Sequence, residues 1–187
     1  MDKRILLMNT ALDLFAEHGF YGTATARIAK EAKVSNGILF HYFPTKKDLI
    51  YALYNDLKDR IFTYSNEQIY KGATLKESVY TFWLAAVEWY IEHPADFLFI
   101  QQFENSPYYT REIEERHRYV QMTKELAENG VEKGVLKPMP SYLIYRTMAG
   151  MVETAVRYLR FHPEVQGDVE FKNKLFEMAW DAVRKID

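Results

Sequence analysis

The run Thr23-Ala24-Thr25-Ala26-Arg27-Ile28-Ala29-Lys30-Glu31-Ala32-Lys33-Val34-Ser35-Asn36-Gly37-Ile38-Leu39-Phe40-His41-Tyr42-Phe43 decides the reading of this chain. Ile28, Ala29 and Ala32 form one apolar stripe at helical spacing. A break at Lys33-Val34 follows, and Ser35 has the side chain to cap a second short helix through Phe43. Thr23 is the expected cap of the first. Ile28, Ala29, Val34, Leu39 and Phe43 make a small shared core, in which the compact Ala29 permits a close helix crossing. Two short helices joined by a tight turn form the unit that lays its second member in the major groove of DNA.

Working outward, Ile5, Met8, Leu12 and Phe15, with Ala11 and Ala16 beside them, predict a preceding helix that ends near Gly19. After Pro44, Thr45-Lys46-Lys47-Asp48 has capping-box form with Asp48 as a short substitute for Glu, and Leu49, Leu53, Leu57 and Ile61 continue a fourth helix. Gly72 and Thr74 mark the next break. Further helices are predicted over 75–92, 95–104, 109–129, 141–161 and 168–185, with a loop at Gly130, Gly134, Pro138 and Pro140. No period-two pattern supports a strand. The fold class is all-α: an N-terminal three-helix helix-turn-helix domain over 1–47 and a larger helical domain over 48–187.

The segment Phe15 to Leu49 resembles the TetR family of bacterial and archaeal transcriptional regulators. The matching residues run in order: Leu14 through Phe20, Thr23-Ala24-Thr25, Ile28 through Ala32, Val34 through Gly37, Leu39 through Phe43, and Lys46 through Leu49. Two positions depart from the family pattern. Lys33 stands where the family has glycine, and costs on the order of 1 kcal/mol if φ there is positive. Phe40 stands where tyrosine is usual and has no hydroxyl to offer phosphate.

The resemblance implies double-stranded operator DNA as a partner. Ser35, Asn36, Gly37, Ile38 and His41 would meet base edges, with Asn36 the leading hydrogen-bonding candidate and Ile38 suited to a thymine methyl. Thr25, Arg27, Tyr42 and Lys46 would hold phosphate, and Lys33 would lie near it. Arg27 and Lys46 also read as ordinary solvated charges, and His41 as a packing residue. The charge split agrees with a phosphate-facing end. Residues 1–47 carry seven basic groups against four acidic ones, a net +3 in a chain of formal total −2, so the remainder holds −5.

For the body, the resemblance implies a homodimer through the eighth and ninth predicted helices, 141–161 and 168–185, and a ligand pocket among the middle helices. Independent support comes from Leu143, Ile144, Met148, Met151, Val152, Ala155, Val156 and Leu159, too many apolar residues for one buried face, and from the stripe Phe171, Leu175, Met178 and Ala182. Pocket candidates are Phe82, Trp83, Ala86, Trp89, Tyr90, Phe97, Phe103, Tyr119, Met122, Tyr145 and Met148, around an apolar or amphipathic effector in a volume of at least about 300 Å³. The same aromatics at the same spacing also describe a filled core. Glu88, Glu92, Asp96 and Glu104 leave room for a cationic ligand.

The chain has 187 residues with no cysteine, which excludes disulfides, thiolate metal sites and cysteine nucleophiles. Its five histidines form no i, i+4 pair, and no His-Glu-x-x-His site, phosphate-cradling glycine motif or nucleophile elbow is present. No catalytic residues, metal site or cofactor are expected. Glu112 to His117 reads as a solvated charged helix rather than a ligand set. No signal peptide, membrane span or membrane partner is expected, and the location expected is cytoplasmic. The functional expectation is a ligand-responsive repressor binding a pseudo-palindromic operator as a homodimer. A helical small-molecule-binding or catalytic protein, and a structural or interaction dimer without effector, stay open.

Overall fold

Ten α-helices follow one another in the computed structural model, which describes residues 2–68 and 73–186. They are α1 Lys3–Gly22, α2 Thr25–Glu31, α3 Asn36–Tyr42, α4 Lys46–Asn66, α5 Leu75–Glu92, α6 Pro94–Glu104, α7 Arg111–Glu115, α8 Arg118–Glu132, α9 Ser141–Phe161 and α10 Val169–Val183. Among the described residues no strand occurs, only an isolated antiparallel bridge between Leu136 and Arg184. Gly72, read as a break, lies outside the described residues. Two compact units emerge. The first takes the chain up to Lys58 together with His93–Ile113, and the second takes Asp59–Glu92 together with the chain from Glu114. The units therefore do not divide at residue 47: half of α4 and all of α6 belong with the N-terminal helices.

In the first unit, α1 buries Leu7, Met8, Ala11, Leu12, Leu14, Phe15 and Phe20. Ile5, expected on that face, is 52% exposed; the buried stripe is set by Leu7 and Leu14 instead. Gly19 interrupts the helix with φ 74° and ψ 167°, a conformation essentially reserved for glycine. The expected stop is thus a kink, after which one further turn runs to Gly22. Aromatic rings fill the core behind it. Phe20 meets Phe15 edge-on at 5.1 Å between centroids, and Phe103 of α6 stacks on Tyr54 of α4 at 4.2 Å. Gln102 of α6 donates from Nε2 to the Phe15 carbonyl at 2.8 Å, tying α6 to α1.

Thr23 is not the cap of α2. Ala24 holds that position without a side-chain bond, and α2 starts at Thr25. The Thr23 hydroxyl is buried and reaches back to the carbonyls of Leu14 (3.1 Å) and Gly19 (2.9 Å), closing the kink of α1. The capping box at α4 forms as expected. Thr45 N–H donates to Asp48 Oδ2 at 2.9 Å, and Asp48 N–H donates to Thr45 Oγ1 at 3.2 Å.

In the second unit, α5 opens on another such box, Thr74 N–H to Glu77 Oε2 at 2.7 Å. The single helix expected over 109–129 is two helices, α7 and α8. His117 ends the first and caps the second, its Nδ1 accepting from the Tyr119 N–H at 3.3 Å. Gly130, expected in a loop, is buried inside α8. A Cβ there would sit 2.6 Å from side-chain atoms of Leu136 and Leu75, so close packing rather than a turn requires glycine. The turn comes later, at Gly134 with φ 68°. Asp168 caps α10 by accepting from the Phe171 N–H at 3.0 Å. Both final helices keep apolar side chains outside the subunit core: Leu143, Tyr158 and Phe161 on α9, Val169 and Met178 on α10.

Candidate functional site

The exposed surface of α3 is set by which of its residues the core claims. Leu39 and the capping Phe43 are buried against Ile28, Ala29 and Ala32, while Val34 is only half-buried. That leaves Asn36, Gly37, Phe40 and His41 exposed on one side, Ile38 half-buried beside them and Tyr42 at the rim. Ser35 fixes the start of the helix by accepting the Ile38 N–H at 3.3 Å. Phe40, 46% exposed, lies outward one turn after Asn36 and was not among the sequence candidates, since its ring has no hydroxyl for phosphate.

The turn before α3 is built on Lys33, whose φ is 55°, the one positive value outside glycine among the described residues. Its N–H bonds the Lys30 carbonyl at 3.1 Å, and the Val34 N–H bonds the Ala29 carbonyl at 3.0 Å. This is a Schellman closure of α2, and it needs a left-handed residue at position 33. The Lys33 side chain is exposed.

The expected phosphate contacts sit in different circumstances. Thr25 is half-buried at the first turn of α2, and Arg27 is exposed with Nε 2.8 Å from Glu31 Oε1. Lys46 turns inward: its ammonium bonds the carbonyls of Phe20 and Thr23 and lies 5.7 Å from the Phe15 ring centre. Burial lowers its pKa from the ordinary lysine value. Lys46 therefore closes the C-terminal end of α1, a role that spacing alone did not reveal.

The second unit contains a cavity of about 60 Å³ lined by α5, α8, α9 and α10. Five sequence candidates line it: Phe82, Trp83, Tyr119, Tyr145 and Met148. Val79, Leu126, Ala127, Leu136, Ile144, Ala149, Val152, Trp180 and Val183 complete its wall, with Thr123 adding a hydroxyl. Ala86, Trp89, Tyr90 and Met122 are not part of the lining. Phe97 and Phe103 belong to the first unit, where both are buried. None of the acidic residues considered for a cationic ligand lines the cavity either, and Glu88 is paired with Lys172 at 3.1 Å. The volume falls well short of the expected size, because these large side chains mostly fill the space between the helices.

A polar cluster flanks the cavity. The carboxylate of Glu114 is fully buried and accepts from Tyr142 Oη (2.8 Å), Tyr145 Oη (3.2 Å) and Arg146 Nη1 (2.8 Å). Tyr145 thus both lines the cavity and holds this carboxylate. Glu115 pairs with Lys124 at 3.1 Å, and His117 Nε2 lies 3.3 Å from Asp59. The acidic run at 112–117 is therefore partly internal rather than wholly solvated. Among the described residues no group of three or more His, Asp or Glu side chains forms a metal site, and no helix is long and apolar enough to cross a membrane.

Comparison with known proteins gives this geometry a context. Residues 7–53 match the model of the bacterial regulatory proteins of the tetR family. A tetR family transcription regulator from Shewanella sp. PV-4 superposes with a TM-score of 0.93 at 30% identity, covering 100% of both chains. The HTH-type transcriptional regulator YuxN of Bacillus subtilis (strain 168) is 35% identical over 114 residues, 61% of this chain and 39% of that protein. The HTH-type transcriptional repressor KstR2 of Mycobacterium tuberculosis (strain ATCC 25618 / H37Rv) is 25% identical over 84% of this chain and 82% of its own length. The chain thus spans well under two thirds of YuxN and the whole of the Shewanella protein.

Proposed function

This chain belongs to the TetR family of bacterial regulatory proteins, and from that premise we propose that it is a ligand-responsive repressor acting as a homodimer on a pseudo-palindromic operator. The observation that carries the reading is α3: a capped, rigidly seated helix with Asn36, Gly37, Phe40 and His41 turned outward, inside the matched segment 7–53. Asn36 and Ile38 read base edges, while Thr25, Arg27, Tyr42 and the exposed Lys33 contact phosphate. Lys46 supports them from behind by holding α1 closed. The DNA-reading helices are those of the segment 1–47, backed in their own unit by the start of α4 and by α6, and the second unit carries the effector site and the dimer seam. The protein acts in the cytoplasm and performs no catalysis.

The dimer reading rests on α9 and α10. Leu143, Tyr158, Phe161, Val169 and Met178 are exposed in the single subunit, with Met178 at 61% and Phe161 at 80%. A two-fold pairing of this apolar surface would cover it and set one α3 in each half-site. An effector in the second unit would favour a dimer state with the reading helices wrongly spaced, which requires different affinities for the two states.

Selection of genomic fragments by the purified chain tests the reading directly. The expected product is a short inverted repeat whose half-site centres lie about one helical turn, or a multiple of it, apart. Recovery of fragments without common sequence, or a chain that stays monomeric at micromolar concentration in sedimentation equilibrium, would refute it.

A further inference from the structure

We propose that the effector is an electrically neutral molecule with an apolar body and one hydrogen-bond acceptor, such as a ketone or ester carbonyl, held by the indole N–H of Trp83. The inference rests on the reading of the second unit as an effector domain and names the chemistry of its ligand. Trp83 lines the cavity and is 3% exposed, its ring packed edge-on to Phe176 at 5.8 Å. Its Nε1 is fully buried and has no hydrogen-bond partner among the described residues. Buried indole N–H groups normally have one, and leaving a donor unmet costs more than a typical bond returns. Two neighbouring hydroxyls at the cavity are committed: Thr123 to the carbonyls of Tyr119 and Val120 at 2.9 Å, Tyr145 to Glu114. An acceptor carried in by a ligand meets the Trp83 donor.

Charge on the ligand is excluded by the same wall. Among the described residues no Lys, Arg, His, Asp or Glu lines the cavity. Its half-buried Tyr119 has a pKa pushed up to about 12 by desolvation of the hydroxyl, which therefore stays neutral. An anion or cation would enter without a counter-charge, at a large desolvation cost. Size adds a second constraint. The cavity measures about 60 Å³, whereas a benzene-sized body occupies an apolar cavity of about 150 Å³. Entry must move side chains, and the adaptable Met148 is placed to yield. A ligand that widens the cavity favours the widened state, which gives it the differential affinity regulation requires.

Four probes of similar size separate the possibilities: acetophenone, ethylbenzene, benzoate and benzylammonium, each titrated calorimetrically into the wild-type chain and Trp83→Phe. Acetophenone should bind the wild type about tenfold more tightly than ethylbenzene, and Trp83→Phe should make the two equal. The two ions should bind neither protein. In the wild type, acetophenone should also move one of the three indole N–H resonances downfield, the one missing from Trp83→Phe, and ethylbenzene should not. That second readout stands if the variant folds poorly. Tighter binding of an ion, a carbonyl preference that survives Trp83→Phe, or no binding of either neutral probe would overturn the proposal. A chain that selects its operator yet fails these titrations loses only the proposed ligand chemistry; one that selects no DNA loses the regulator reading.

Discussion

Lys33→Gly should stabilise the protein, an uncommon direction for a substitution inside a binding motif. The left-handed conformation costs an L-residue roughly 1–2 kcal/mol, and glycine adopts it freely. Lys33 sits at φ 55° and is held there by two backbone bonds that complete the closure of α2, Lys33 to Lys30 and Val34 to Ala29. Both bonds survive the change. Against the relief stands the extra freedom glycine gives the unfolded chain, about 0.5–1 kcal/mol. The net gain is therefore no more than about 1.5 kcal/mol, or a rise of no more than about 6 °C in Tm for a cooperative unit of 150–250 residues. Urea titration at fixed protein concentration measures it, and Lys33→Ala is the control. Alanine removes the ammonium and keeps the Cβ, so it should leave stability almost unchanged. An alanine variant as stable as the glycine one would mean that charge, not backbone strain, is the cause. Destabilisation by Lys33→Gly would refute the strain argument itself. On DNA, both variants should bind more weakly at low salt by similar factors, since both lose the cation beside phosphate.

Asn36→Ala should reduce the ratio of operator to random-DNA affinity by about 1–3 kcal/mol, read from parallel titrations on the two duplexes; equal loss on both would remove Asn36 from the base-reading set. Met178→Glu should convert the dimer to a folded monomer in sedimentation equilibrium, because Met178 is 61% exposed in the subunit and its replacement disturbs no internal packing. A dimer that persists would move the seam elsewhere. Glu114→Gln should destabilise the chain by about 2–3 kcal/mol in urea titration, since a buried carboxylate with three donors loses its charge while Arg146 keeps its own. A loss under about 0.5 kcal/mol would show that the cluster contributes little to the fold.

The helix-turn-helix was legible because its determinants are local. Ser35 caps the helix that starts beside it, and Leu39 and Phe43 share a face by spacing alone. The errors come where a tertiary partner overrides the local rule. Thr23 has a capping side chain, but the kink at Gly19 brings two carbonyls of α1 within its reach, and it bonds those instead. Lys46 looks like a surface cation until the same carbonyl end is folded against it. Gly130 resembles a turn residue, and only the approach of Leu136 and Leu75 shows why it is glycine. The break at His117 was hidden because a buried histidine cap resembles a mid-helix polar residue. In the cavity, composition identified aromatic-rich helices but not their rotation. Phe97 and Phe103 went to the other unit with α6, while Leu136, Trp180 and Val183, from the loop and the final helix, closed the wall.

These departures share a physical pattern that bears on regulation. In the first unit several polar groups near the reading helix fix backbone: Thr23 and Lys46 on the end of α1, Ser35 on α3, Thr45 with Asp48 on α4. Aromatic stacking fills the space behind them, as in the pair Tyr54 and Phe103. A reader of base edges gains from such rigidity, because misplaced hydrogen-bond groups discriminate poorly. The second unit is arranged differently. It keeps a void between four helices, a donor on Trp83 that the chain leaves unmet, and a tyrosine shared between cavity and buried carboxylate. The void and the unmet donor lower the stability of the empty state, and both are relieved by a molecule that fills the space. On the regulator reading proposed above, an effector acts on the second unit, where filling the void and meeting the Trp83 donor favour the occupied state.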